Sequence, residues 1–249
     1  MQQLKNKVAV ITGGNSGIGK ATAQLFAEEG AQVIITGRRA DVVDQAIADI
    51  GHGAIGLVGD VADLAHHQKL ADLVTSRFGR LDVYMANAGI INLTTSDKVT
   101  PEEYDRHFAT NTRGVFFGVQ TVAPLIRDGG NIIVTSSLAA TKILADHTVY
   151  AGSKSAVAAF AKNWAIEFQP RKIRVNILSP GPVETAILDK LGVSEADRPA
   201  FEKHMASLIP AGRMGLPEEL ARAALFLASD AGSFVNGIEL HVDGGMTLV

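Results

Sequence analysis

The chain has 249 residues, 47% hydrophobic and 20% charged, with a formal net charge of −3; that balance suits a globular α/β protein of one sizeable core and offers no basic field for nucleic acid. It contains no cysteine, which excludes disulfides and thiolate catalysis. No apolar run approaches the roughly 18 residues of a membrane span and the start lacks a signal peptide's apolar stretch, so a soluble, cytoplasmic protein with no membrane partner is expected.

Residues 8–12 (VAVIT) form a short β-branched run, the pattern of a strand covered on both faces. The turn after it, Thr12-Gly13-Gly14-Asn15-Ser16-Gly17-Ile18-Gly19, opens a helical pattern over 17–29. Glycines at such a junction let the backbone turn tightly and approach a pyrophosphate, to which the helix start offers free N–H groups. The spacing is GxxxGxG, not the commoner GxGxxG; the placement between strand and helix carries the assignment. A second strand, over 33–36, runs into Gly37-Arg38-Arg39. NAD-binding folds place a carboxylate there for the ribose 2′-hydroxyl. Two guanidiniums instead suit the 2′-phosphate of NADP, so NADP is the expected cofactor.

Further strands are predicted over 55–58, 81–85, 131–136, 174–178 and 238–242, and helices over 41–50, 64–78, 101–127, 149–168 and 217–228. This alternation predicts a single-domain, doubly wound Rossmann fold over 1–249, with a seven-stranded parallel sheet and helices on both faces. Two helices are apolar nearly all round, one through Val115, Phe116 and Phe117, the other through Val157, Phe160 and Trp164. Such helices need a partner besides their own sheet, and another copy of the chain is the most economical one.

Tyr150-Ala151-Gly152-Ser153-Lys154 begins the helix at 149–168, so the phenol and the ammonium, four residues apart, share one face. A free tyrosine titrates near about 10, and a neighbouring cation favours the phenolate. The expectation is a phenol acidified by Lys154 together with the positive charge of a nicotinamide, enough to exchange protons near neutrality. Thr135-Ser136-Ser137 ends a central strand, where open α/β sheets place their ligands. Ala86-Asn87-Ala88-Gly89 ends the strand before it and Ser179-Pro180-Gly181-Pro182 the one after.

With these motifs in this order, the chain resembles the short-chain dehydrogenase/reductase family, over essentially its whole length. The resemblance implies that Gly13, Asn15, Ser16, Gly17, Ile18 and Gly19 cradle the coenzyme and that Arg38 and Arg39 meet its 2′-phosphate. It implies that Asp60 and Val61 contact the adenine, and that Asn87, Ala88 and Gly89 support sheet and cofactor. Pro180, Gly181, Val183 and Thr185 correspond to the segment holding the carboxamide. Asn111, Ser137, Tyr150 and Lys154 correspond to the catalytic tetrad. Four positions depart from the family pattern: Ala86, Ala140, Gly152 and Ser16, the last where NADP-binding members often carry a basic residue.

Together these residues imply hydride transfer between NADP(H) and a carbonyl or secondary alcohol. Ser137 would polarise the carbonyl oxygen and Tyr150 would give or take the proton. Lys154 would bind the ribose and Asn111 would fix a water. The stretch 185–213 is where the family carries a substrate lid; here it includes Ile187, Leu188, Leu191, Met205 and Leu208, with Leu138, Ala139, Ala140 and Leu144 opposite. That suits an apolar or bulky ketone. A 3-oxoacyl-acyl-carrier-protein reductase is the alternative enzyme, and a non-catalytic NADP-binding sensor the alternative of another class. By resemblance a homotetramer is expected. No HExxH or cysteine cluster suggests a catalytic metal. His147, just before Tyr150, is expected at the surface, with a place near the substrate mouth as the alternative, and Asp243-Gly244-Gly245 as a turn after the last strand.

Overall fold

A computed structural model describes residues 2–185 and 197–249. Seven parallel strands form one sheet: β1 Val8–Thr12, β2 Gln32–Gly37, β3 Ile55–Val58, β4 Leu81–Ala86, β5 Ile126–Thr135, β6 Arg174–Pro180 and β7 Glu239–Val242. Their order is β3-β2-β1-β4-β5-β6-β7, so strand order reverses between β1 and β4. In such a sheet the crevice beyond the strand ends at that reversal is where a ligand binds.

The predicted period resolves into helices on both faces. On one side lie α1 Gly17–Glu28, α2 Ala40–Ile50 and a late helix at Pro217–Ala228; Phe26, Ala46, Leu220 and Ala224 pack there against Ile11, Ile35 and Ile133. On the other lie α3 Leu64–Phe78, α4 Pro101–Phe108, α5 Gly114–Val122 and α6 Thr148–Glu167. Leu70, Val119, Val157 and Trp164 bury against Val10, Tyr84 and Ile132. Helix α7 spans Arg198–Ser207, and the Pro217–Ala228 helix is α8. Among the described residues no helix is long and apolar enough to cross a membrane.

The structure corrects two sequence expectations. The helix expected over 101–127 is broken: α4 widens into a π-turn at Ala109–Arg113 before α5 resumes, and Ala123–Leu125 closes it as a 3₁₀ turn. Pro124 removes a helical N–H there. The chain enters β5 at Ile126, five residues before the expected start, because Ile126 pairs with Leu81 and an irregularity then absorbs Arg127–Gly130 before pairing resumes at Asn131. The helix α7 at Arg198–Ser207 is an element for which the sequence reading made no assignment.

Candidate active site

Six of the motifs singled out in the sequence lie at carboxyl ends of strands, while Tyr150 and Lys154 sit on α6 and Asn111 in the π-turn. The glycine turn follows β1 and Arg38 follows β2. Asp60 lies just past β3, Asn87 follows β4, Ser137 lies past β5 and Gly181 follows β6. The six therefore rim one edge of the sheet, across the reversal point.

The turn after β1 is built by close backbone approach. Gly13 has φ 64°, and a Cβ there would stand 2.9 Å from Ala88 Cα; at Gly19 it would stand 2.3 Å from the Gly13 carbonyl oxygen. No other residue type fits without displacing that backbone. Thr12 locks the two strand ends together: its hydroxyl accepts the N–H groups of Asn87 at 3.0 Å and Ala88 at 3.1 Å. The Asn87 carboxamide donates back to the Thr12 carbonyl at 3.0 Å. Ser16, the N-cap of α1, makes no side-chain capping bond, and the first turn holds no acidic residue. The helix start is thus left to an outside anion. Gly17, with φ 52°, leaves room for Thr185, whose methyl would lie 3.2 Å from a Cβ. The residues fit a dinucleotide pyrophosphate at this point.

Beyond β2, Gly37 lies beneath the Asn15 side chain, 2.6 Å from where a Cβ would be. Arg38 faces Asp60 at 3.9 Å, both side chains well exposed. Asp60 also accepts the Ala62 N–H at 2.9 Å. Arg39 is the N-cap of α2 and makes no ion pair among the described residues. The Val61 carbonyl bonds His67 Nε2 at 2.8 Å. Beyond β6, Val183 bridges to Gly215, and Gly181 packs so closely on Asp243 that a Cβ would lie 2.7 Å from its Cα. Asp243-Gly244-Gly245 is indeed a turn: the carboxylate accepts N–H groups of Gly245 and Thr247 and the Thr247 hydroxyl. Burial pushes that carboxyl up, but these bonds outweigh it and hold it below the usual range.

The four residues of the expected tetrad converge. Lys154 is 3% exposed, and its ammonium donates to the Thr135 carbonyl at 2.9 Å. Asn111 lies in the π-turn, fully buried. Its carboxamide accepts the Ile90 N–H at 2.8 Å and donates to the Ile90 carbonyl at 2.9 Å and Ser153 Oγ at 3.0 Å. A Cβ on Gly89 would stand 3.2 Å from Lys154 Nζ and 3.3 Å from Asn111 Oδ1. One small residue thus holds the space in which the two groups meet. Across the pocket the Ser137 hydroxyl lies near enough to the Tyr150 phenol to favour its ionised form.

The acidity expected of Tyr150 is absent from the protein alone. Burial raises the phenol pKa, and the nearby Ser137 hydroxyl only partly opposes it. Burial also lowers Lys154 from 10.5 to about 8, because the charged form loses water that a single carbonyl does not replace.

Sequence reasoning missed three contributors. Thr12 looked like the end of a strand, but its hydroxyl is the clamp. Ser153 donates to the Tyr150 carbonyl at 2.7 Å while receiving Asn111; its place between Tyr150 and Lys154 was the available signal. His147, expected at the surface, is half-buried, its ring 6.2 Å from that of Tyr150.

Leu138, just past Ser137, forms a buried apolar cluster with Ile209, Met214 and Met246, with Leu144, Phe201 and Met205 packed against it. Leu208 instead turns outward, 44% exposed. Ile187, Leu188 and Leu191 lie outside the described residues. No group of three or more acidic or histidine side chains among the described residues could hold a metal ion. His66 and His67 are buried on α3; burial lowers both.

A dinucleotide cradle facing a hydroxyl pair beside a buried lysine is the arrangement of an oxidoreductase built around a nicotinamide cofactor. Comparison with known proteins agrees. Residues 13–247 match the family described as enoyl-(acyl carrier protein) reductase. D-threitol dehydrogenase of Mycolicibacterium smegmatis is 38% identical, over 99% of this chain and 95% of its own. Versicolorin reductase of Emericella nidulans is 39% identical, over 98% and 96%. A 3-ketoacyl-(acyl-carrier-protein) reductase from Brucella melitensis, solved with NADH, superposes with a TM-score of 0.90 at 33% identity, over 98% and 99%. The chain belongs to the short-chain dehydrogenase/reductase family and is an oxidoreductase acting on a small molecule.

Proposed function

We propose that the chain interconverts a ketone and a secondary alcohol with NADP(H), the substrate being bulky and largely apolar. The observation that carries this reading is the gathering of the neighbouring Ser137 and Tyr150 hydroxyls with the buried Lys154 and Asn111, whose polar groups meet over Gly89. Ser137 donates to the carbonyl oxygen, favouring the charge that builds there. Tyr150 delivers the proton to that oxygen in reduction and recovers it in oxidation. Lys154 and Asn111 position the ribose side of the pocket, and Gly13, Gly17, Gly19 and the start of α1 hold the pyrophosphate. The bound nicotinamide supplies the hydride. Arg38 and Arg39, with no carboxylate at the end of β2, favour the 2′-phosphate. The cluster around Leu138, Met214 and Met246 supports an apolar substrate, with 185–213 as the lid of a single domain spanning the chain.

The test is the loss of nicotinamide absorbance with a panel of aryl and alicyclic ketones, run with NADPH and NADH. Turnover with NADPH at higher kcat/KM supports the reading. Preference for acetoacetyl-CoA would favour the acyl-carrier reductase instead, and cofactor binding without turnover of any carbonyl would favour a sensor.

Phe108, Phe116, Phe117 and Phe160 line a groove of about 450 Å³ on α4, α5 and α6. Phe116 meets Phe117 and Phe160 edge-on and packs tilted against Trp164, while Phe108 stacks on Tyr104. We assign its cover to a second copy of the chain, within a cytoplasmic homotetramer. Phe117→Glu should lower the mass measured by sedimentation.

A further inference from the structure

The two residues before the start of α6 have uncommon backbone conformations. Asp146 has φ 62°, in the left-handed region that few side chains tolerate, at a cost of about 1 kcal/mol. His147 has φ −100° and ψ 5°, in the sparsely populated bridge region where many active-site residues sit. The facing loop braces them. The Asp146 carbonyl accepts the Thr94 N–H at 3.0 Å, and the Thr94 hydroxyl donates to Glu103 Oε1 at 3.2 Å. The same loop is held from beneath by the fully buried His107. That ring donates from Nδ1 to the Glu103 carbonyl at 3.0 Å and accepts the Asn92 N–H at Nε2, 3.1 Å away.

What the braced segment presents is the His147 imidazole. It stands at 66° to the Tyr150 ring, with centroids 6.2 Å apart. Its Nδ1 lies 2.5 Å from the Ala145 carbonyl oxygen. A carbonyl only accepts, so Nδ1 carries the proton and Nε2 of the neutral ring is left as an acceptor. Nε2 has no hydrogen-bond partner among the described residues. An acceptor held in place beside the candidate proton donor has a preference of definite sign: it wants a donor on the ligand.

We infer that His147 is a specificity-determining residue whose Nε2 accepts a hydrogen bond from a hydroxyl on the carbon next to the reacting carbonyl. The favoured substrates are then α-hydroxy ketones and, in the opposite direction, vicinal diols. This rests on the ketone-reductase reading of Ser137 and Tyr150 and narrows it. The apolar cluster takes the body of the molecule, and His147 marks the polar end that adjoins Tyr150. A plain ketone leaves the acceptor desolvated and unpaired. Sites built to bond a hydroxyl reject analogues lacking it far more strongly than apolar pockets reject a change of one methylene.

The experiment compares kcat/KM for α-hydroxyacetophenone and acetophenone, with NADPH, in the native protein, His147→Phe and His147→Gln. The native protein should favour the hydroxy ketone by about tenfold or more. Phenylalanine keeps an aromatic ring at the position but cannot accept, so the ratio should fall toward one, through a raised KM for the hydroxy ketone. Glutamine restores an acceptor and should recover part of the ratio. A native ratio near one overturns the inference, as does a Phe variant that slows both ketones equally and leaves the ratio standing. If His147→Phe does not fold, the native ratio and the Gln variant decide. Turnover of neither ketone, with NADPH or NADH, removes the ketone-reductase reading and the inference with it.

Discussion

The cradle after β1 and the apolar cluster around Met214 sit at the same edge of the sheet and are built in opposite ways. The cradle is backbone against backbone, with Gly13, Gly19 and Thr12 fixing strand ends through contacts that tolerate almost no added atom. The cluster is side chain against side chain, rich in methionine and leucine, residues that adapt to irregular gaps. A site that must hold one cofactor is made of geometry, while a site whose occupant defines the individual enzyme is made of packing. Substitutions in the first should act as thresholds and in the second as gradations.

The largest effect should come where the two regions meet. Tyr150→Phe removes the proposed proton donor and should lower kcat by about a thousandfold or more, with NADPH affinity nearly intact by fluorescence titration. Retained turnover would mean that the phenol is not the proton donor.

Lys154, on the cradle side, should leave a pH signature in stability. Its folded pKa is about 8, against 10.5 for the ordinary group. Below pH 8 both folded and unfolded chains hold the proton, and the cost of burying the charge is fully present. Between pH 8 and 10.5 the unfolded chain holds more protons, so stability rises with pH. The relief is up to about 3 kcal/mol. Urea midpoints at pH 7.5 and 10 should show native stability rising relative to Lys154→Met; a constant difference would contradict the depressed pKa.

Thr12→Val keeps the shape but orphans the N–H groups of Asn87 and Ala88. It should cost about 2 kcal/mol in urea unfolding and weaken NADPH binding with it. The smallest effect belongs to the cluster. Met214→Leu conserves volume and should cost less than about 1.5 kcal/mol, leaving kcat intact and moving KM for bulky ketones a few-fold. A collapse of kcat would mean that this wall is as exacting as the cradle, and the contrast would fail.

The same contrast explains what could be read from the sequence. Strands β1 and β3 and helices α3 and α8 match their predicted bounds, because their periods and capping residues are local. The cradle was legible since glycine spacing reports backbone conformation directly. The early start of β5 was not: Arg127-Asp128-Gly129-Gly130 reads as a loop. Its tertiary setting includes the ion pair of Arg127 with the buried Asp82, which also accepts the Val8 N–H at 2.9 Å. The π-turn was hidden because it depends on where Asn111 must bond, not on composition. The desolvation of Tyr150 in the protein without cofactor was not legible, because residue spacing says which groups are near but not how much water each has lost. His147 was set aside because nothing local tells a bridge-region residue from a surface one.

The widened turn at Ala109–Arg113 also constrains how this gene can change. A π-turn holds one residue more than the α-turn it replaces, so deleting any single residue there would leave a more regular helix. Five residues in the wider turn sweep nearly the angle of four in an α-helix, so everything beyond would keep its phase, and what is lost is the local widening at which the Asn111 carboxamide bonds Ile90 and Ser153. A shorter chain would gain a better helix and keep its phenylalanine groove in place, and lose only the bulge that sets the Asn111 carboxamide.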